Sequence, residues 1–235
     1  MHKNAHMSER IVGISTMATR QVLAELAAAY TQCSRVEMAI ESVGGVDAAK
    51  RVQAGEAFDV VLLAADAIDK LLAGGHLLAG SRVDLVRSPV AVAVRAGAPR
   101  PEIGSEDAVR AAVRAARSIS YSTGPSGVFM MQLFERWGIA EQIKPRLVQA
   151  PPGVPVGALV ARGEVELGFQ QLSELLHLPG ITVLGVLPPA IAFITTFSAA
   201  VGRTSARADA VRAMLAFFNA PEAEATKLRH GMQPA

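Results

Sequence analysis

The sequence predicts an α/β protein of two similarly built lobes, with mixed sheets and a ligand cleft between the lobes. Three observations carry this. Short apolar strands alternate with amphipathic helices along nearly the whole chain, the pattern of sheets whose strands are joined by crossover helices. A strand, a turn of small residues and a helix start occur twice, at Ile14-Ser15-Thr16 and at Ile119-Ser-Tyr-Ser-Thr-Gly-Pro-Ser-Gly-Val128. The second copy falls 107 residues after the first, counted from Ser15 to Ser122. At a spacing of 108, Gly45-Val46 matches Gly153-Val154, and Val52-Gln-Ala-Gly-Glu56 matches Val160-Ala-Arg-Gly-Glu164. Their common order and spacing favour a repeated plan over chance.

Taken in order, 10–14 reads as a strand and 16–30 as a helix with Val22, Leu23, Leu26 and Tyr30 on one face. Ser15 or Thr16 is its expected N-cap. Alternation over 36–43 predicts a half-buried strand ending at Gly44-Gly45, and 46–54 a helix stopped by Gly55. The unbroken apolar run at 58–64 predicts a buried parallel strand. Residues 67–72 read as a helix ending at Gly74-Gly75, 85–94 as a long strand, and 105–116 as a surface helix whose Arg110, Arg114 and Arg117 form a solvated row. The 126–137 segment carries Phe129, Met130, Leu133, Phe134 and Trp137, which makes it a core-facing helix. A strand at 147–149, a turn at 151–153, a helix at 154–162 and a strand at 166–170 complete the second copy. A long strand at 190–201 and helices at 205–219 and 221–230 close the chain. The long strands flanking the second copy are natural crossings, near 85–95 and 191–201. One lobe is therefore expected to comprise 1–86 and 197–235, with 87–196 inserted as the other.

Composition excludes several classes. At 235 residues, 51% hydrophobic and 19% charged, the chain can bury a sizeable core and is not of disordered composition. A net charge of +2 and 5% aromatic residues argue against a nucleic-acid partner. No run of about 18 apolar residues is present, so no membrane span is expected. Cys33 is the sole cysteine, which excludes an internal disulfide. Residues 1–10 lack the apolar core of a secretory signal, so the expected location is cytoplasmic. A periplasmic location with a transporter partner is the alternative, if a native leader has been replaced.

The two turns supply hydroxyls and close-approaching backbone where an anion can sit at a helix N-terminus. Ser122, Thr123 and Ser126 offer side chains in the second turn, and Gly124 and Gly127 let the backbone come near. Larger motifs are absent: Gly124-Pro125-Ser126-Gly127 is not a nucleophile elbow, and no Walker loop appears. His76 and His177 are isolated, and His2 and His6 sit near the N-terminus, so neither a metal site nor a cofactor is expected.

Ser15-Thr16 before the first helix, the run Ala49-Lys50-Arg51-Val52-Gln53-Ala54-Gly55 followed by Phe58-Asp59-Val60 and Ala64-Ala65-Asp66, Pro125-Ser126-Gly127, and Gly157-Ala158-Leu159-Val160 leading to Leu167-Gly168 resemble the type II periplasmic solute-binding proteins. The nearest branch is the molybdate-binding one, which aconitate isomerases also resemble. The likeness extends over nearly the whole chain from Ile11. It implies two α/β lobes closing on a small anion, with the ligand at Ser15, Thr16 and Met17 on one side and Ser122 to Gly127 on the other. The family's second serine turn is replaced by Gly44-Gly45-Val46-Asp47, leaving backbone donors only. Gly153 and Val154 are the matching turn of the second copy, and Gln170 or Gln171 stands near the position of a family tyrosine. With Arg20 added from the first helix, the expected ligand is a di- or tricarboxylate rather than a metal oxyanion. The alternative to plain binding is an isomerase that shifts a proton on an unsaturated carboxylic acid, with Asp47 and Tyr121 as catalytic candidates and Glu174 as a third.

Overall fold

The computed structural model describes residues 10–235. The readings of His2, His6 and the N-terminal leader fall outside the described residues. In the first half β1 (Arg10–Thr16), α1 (Arg20–Ser34), β2 (Glu37–Val43), α2 (Gly45–Gln53), β3 (Val60–Ala64) and α3 (Ala65–Ala73) alternate, then β4 (Val83–Arg95) leaves this unit. The second half repeats the plan with α4 (Glu106–Ala115), β5 (Ile119–Tyr121), α5 (Pro125–Arg136), α6 (Ala140–Ile143), β6 (Leu147–Gln149), α7 (Val156–Ala161), β7 (Leu167–Gln171), α8 (Leu172–Leu175) and β8 (Ile181–Val186). The chain ends with β9 (Ile194–Val201), α9 (Ala208–Phe218), α10 (Glu224–Arg229) and β10 (Gln233–Pro234).

Two sheets share β4. The first runs β2-β1-β3-β9-β4, parallel from β2 to β3 and antiparallel at β9, with β10 against β4. The second runs β6-β5-β7-β4, parallel from β6 to β7 and antiparallel at β4, with β8 on the other side of β4. Each half thus orders its strands 2-1-3 and then meets an antiparallel strand. The sequence repeat is a repeat of topology, and the fold is the two-lobed α/β one expected. β4 makes the crossing itself: 83–89 pair with β9, and 90–95 pair with β7 and β8.

Helices cover both faces of each sheet, so the central strands β3 and β7 are buried along their whole length, with Gln170 and Gln171 closing β7. All five residues of β3 are buried. On one face of the first sheet Val22, Leu26 and Tyr30 of α1 pack with Val211, Leu215 and Phe218 of α9. On the other, Ala48 and Val52 of α2 pack with Ile68 and Leu71 of α3. In the second lobe Met130, Leu133 and Phe134 of α5 meet Val92 and Phe169, which is why that helix carries an apolar stripe. Complete burial of a side chain such as Phe134 contributes about 1.5–3 kcal/mol relative to exposure. Among the described residues no helix is long and apolar enough to cross a membrane.

The structure corrects three local expectations. A 3-10 turn, Met17–Thr19, precedes α1, so the helix starts at Arg20 and not at 16. Neither Ser15 nor Thr16 caps it: the Ser15 hydroxyl is engaged with that of Ser42 at 2.7 Å, across the parallel β1–β2 pair. The long strand expected from 190 begins at Ile194, because Pro188 and Pro189 have no N–H for a ladder and lead a 3-10 turn to Ile191. β8 was not anticipated, since Gly185, at φ 145°, interrupts its short apolar run.

Candidate functional site

The carboxyl ends of the strands in both sheets open into one cleft, the place where α/β sheets hold ligands. From the first lobe it is lined by Thr16, Met17, Ala18, Gly44 and Gly45. From the second come the turn Ser122 to Ser126, the turn around Pro151 and Gly153 to Pro155, and Gln170, Gln171 and Glu174; Phe197 of β9 also lines it. A Cβ placed on Gly44 would lie 3.7 Å from the Gly153 nitrogen, so the two glycine turns face each other at contact distance.

The Ser122 turn is built by local hydrogen bonds. Its hydroxyl accepts from the Gly124 N–H at 3.2 Å and pairs with the Ser126 hydroxyl at 3.0 Å. Pro125 opens α5, where its missing N–H costs nothing. Gly127 lets the helix close onto the turn: a Cβ there would sit 1.7 Å from the Ser122 carbonyl oxygen. The first-turn N–H groups of α5 and α2 have no intrahelical acceptor, and the positive ends of both helix dipoles face the cleft. Hydroxyls and backbone donors therefore dominate its polar surface, an arrangement suited to an anion.

Glu174, in the first turn of α8, is the one ionisable side chain lining the cleft among the described residues. It is half-buried and lines the cleft. Burial pushes its carboxyl up from the ordinary 4.5 to about 8. One oxygen accepts a hydrogen bond from Gln170 Nε2 at 2.9 Å, and Gln170 Oε1 in turn accepts from the Val156 N–H at 2.9 Å. The neighbouring Gln171 donates to the Thr195 hydroxyl at 2.7 Å, while its own Oε1 is buried with no partner.

Of the residues singled out from sequence, Thr16, Met17, Gly44, Gly45, Ser122, Thr123, Gly124, Ser126, Gly153, Val154, Gln170 and Gln171 come together around this cleft. Ser15 lies beneath it, fully buried against Ser42. Gly127 acts through packing, as above. Arg20 is exposed and borders a separate groove with Ala24, Met38 and Ile40. Asp47 is exposed in the first turn of α2, where a carboxylate suits the helix dipole. Tyr121 ends β5, half-buried, outside the cleft lining. Ala18, Ala150, Pro151, Pro155 and Phe197 line the cleft and were not anticipated; being apolar or small, they carry no chemical signal in sequence. Glu174 did carry one, as the single acidic residue in the otherwise apolar or small Leu172-Ser-Glu-Leu-Leu176.

The chain matches the sequence profile described as bacterial extracellular solute-binding protein over residues 11–233. It is 39% identical over 218 residues to a Pseudomonas sp. protein named aconitate isomerase, a match covering 89% of this chain and 82% of that one. Among solved structures, the periplasmic molybdate-binding protein of Azotobacter vinelandii superposes with a TM-score of 0.79 at 19% identity, over 96% of this chain and 99% of that chain. The binding protein AgtB of A. tumefaciens R10, solved with agropinic acid, superposes at 0.72 and 12% identity, over 97% and 84% of the two chains. At these identities the two structures speak for the fold.

Proposed function

The chain belongs to the bacterial extracellular solute-binding protein family, and from that premise we propose that its cleft binds a small unsaturated tricarboxylate and isomerises it by a proton shift, as an aconitate isomerase does. Glu174 carries this reading: a single acid-base group, tuned by burial to about 8, stands in a site otherwise made of uncharged donors. The 39% identity to the Pseudomonas sp. aconitate isomerase supports it.

The chemistry follows from the substrate. In an aconitate the methylene next to the double bond is acidified by the carboxylates and the alkene together. Ionised Glu174 takes a methylene proton, the C–H electron pair moves into the allylic system, and the double bond shifts by one carbon. Glu174 then returns a proton to the far carbon. Re-forming the double bond on the other side lets a trans acid leave as a cis acid. Backbone N–H groups and the Ser122, Thr123 and Ser126 hydroxyls would hold the carboxylates and the charge that develops on them. Each such charge-assisted bond is worth roughly 1.5–3 kcal/mol, enough for micromolar binding from four or five after association costs. A group with a value of about 8 is ionised in about a tenth of molecules at pH 7. The neutral majority admits a polyanion without like-charge repulsion, and the ionised fraction supplies the base.

The test is NMR of the protein with cis- and trans-aconitate in deuterated water. Interconversion with deuterium uptake is expected, slowed about 10²–10⁴-fold by Glu174→Gln. Absence of both exchange and isomerisation would refute turnover. A second reading, a binding protein for the same acids, is favoured by the family itself and would then stand if calorimetry showed tricarboxylate binding. Tight binding of molybdate with none of citrate or aconitate would overturn the carboxylate assignment in both readings.

A further inference from the structure

The geometry points to Gln170 as a positioning residue that determines which oxygen of Glu174 carries the proton; this rests on the reading of Glu174 as the acid-base group. Gln170 is 2% exposed, and its amide cannot be turned over. The Val156 backbone N–H, a donor only, points at Oε1, so the NH2 end must face Glu174, where it donates to Oε1 of the carboxyl. That oxygen is committed to accepting, and a proton placed on it would meet the amide hydrogens. In the acid form the proton therefore sits on Oε2, and in the base form Oε2 is the free acceptor. One carboxyl oxygen is held by the protein, and the other gives and takes the substrate proton. This suits a shift between two carbons of one substrate, in which the same oxygen serves both ends of the allylic unit.

The relay has a second consequence. Val156 opens α7 directly after the turn Gly153 to Pro155, which lines the cleft opposite Gly44 and Gly45. The same amide thus ties the ligand-facing turn to the acid-base group. A donor to a carboxylate favours its ionised form, so removing the Gln170 amide is expected to add to the upward push of burial. Among the described residues no other charged side chain lines the cleft. The elements packed on α8, namely α7, β4, β7, β8 and the 3-10 turn before α1, carry Asp84, Arg87 and Arg95, all on β4, and the segment at Gly231, which packs on Leu172 and Leu176, brings Arg229 and His230, both paired with Glu25. Asp84 pairs with Arg82, Arg87 bonds the Pro234 carbonyl, and Arg95 lies beside Gly163 at the strand's far end. His177, just after α8, is bonded to the Arg229 carbonyl and does not line the cleft.

The experiment follows the Glu174 carboxyl by ¹³C NMR in protein labelled at glutamate side chains, assigned by loss of its signal in Glu174→Gln. Gln170→Met, of similar shape and without a donor, is expected to raise the titration midpoint by about one unit. The pH at which kcat/KM for trans-aconitate is half-maximal should rise with it. Gln170→Glu keeps an acceptor for Val156 and replaces the donor with an acid; it is expected to raise the midpoint as well, and serves if the methionine variant does not fold. An unchanged midpoint in a folded variant overturns the assignment whatever the activity. A raised midpoint in protein that turns over no aconitate leaves the positioning role standing and sinks the isomerase reading instead.

Discussion

Replacing Glu174 by Gln tests the buried acid through stability, independently of any substrate. The carboxyl titrates at about 8 in the folded chain against an ordinary 4.5, a difference of about 3.5 units. A raised value means that folding favours the protonated form. The stability this group contributes is fully present below about 4.5 and is lost as pH rises through about 8. Integrating the two titrations between pH 5 and pH 9 gives a loss of about 4 kcal/mol, scaled down by whatever water reaches the ionised carboxylate through the cleft mouth. Gln has the same shape, stays neutral and keeps an oxygen to accept from Gln170 Nε2. At pH 5 the two proteins should therefore be nearly equal in stability. At pH 9 the variant should be the more stable by several kcal/mol. Urea unfolding monitored by circular dichroism at both pH values, with the slope of each transition checked for constancy, measures this directly. Parallel stability curves across that range would show that Glu174 does not titrate there, and would remove the observation on which the acid-base role stands.

Gly127→Ala should destabilise the fold by about 3 kcal/mol or more and disrupt the Ser122 turn, because the new Cβ would fall 1.7 Å from a backbone oxygen that cannot rotate away; thermal unfolding and ligand titration should both register it. Ser126→Ala removes one hydroxyl from the cleft while the Gly124 N–H still holds Ser122, so calorimetry should show aconitate affinity falling about 5–10-fold with the fold retained. Arg20→Ala should leave that affinity within about twofold, since Arg20 is exposed, lies outside the cleft and is screened by salt; a tenfold loss would mean that it reaches the ligand.

What the sequence determined by itself are the features that repeat along the chain. The five apolar residues of β3, the stripe of α5 and the paired glycine turns were legible because strand and helix periods impose a local pattern wherever one face is buried. The doubled spacing near 107 likewise announced two units with the same strand order. Most of the cleft followed, since its donors belong to the turns that end those strands. What only the tertiary structure decided is which charged groups reach it. Arg20 and Asp47 sit close in sequence to the first-lobe turns, yet both are exposed and neither lines the cleft, although the Asp47 carboxylate stands beside Gly44. Glu174, in a four-residue helix that was not anticipated, lines the cleft and is held by Gln170. Periodicity reports that a side chain has a buried face, not what that face meets. The shift of a carboxyl to about 8 depends on the water excluded by segments distant along the chain, which no local pattern of residues records.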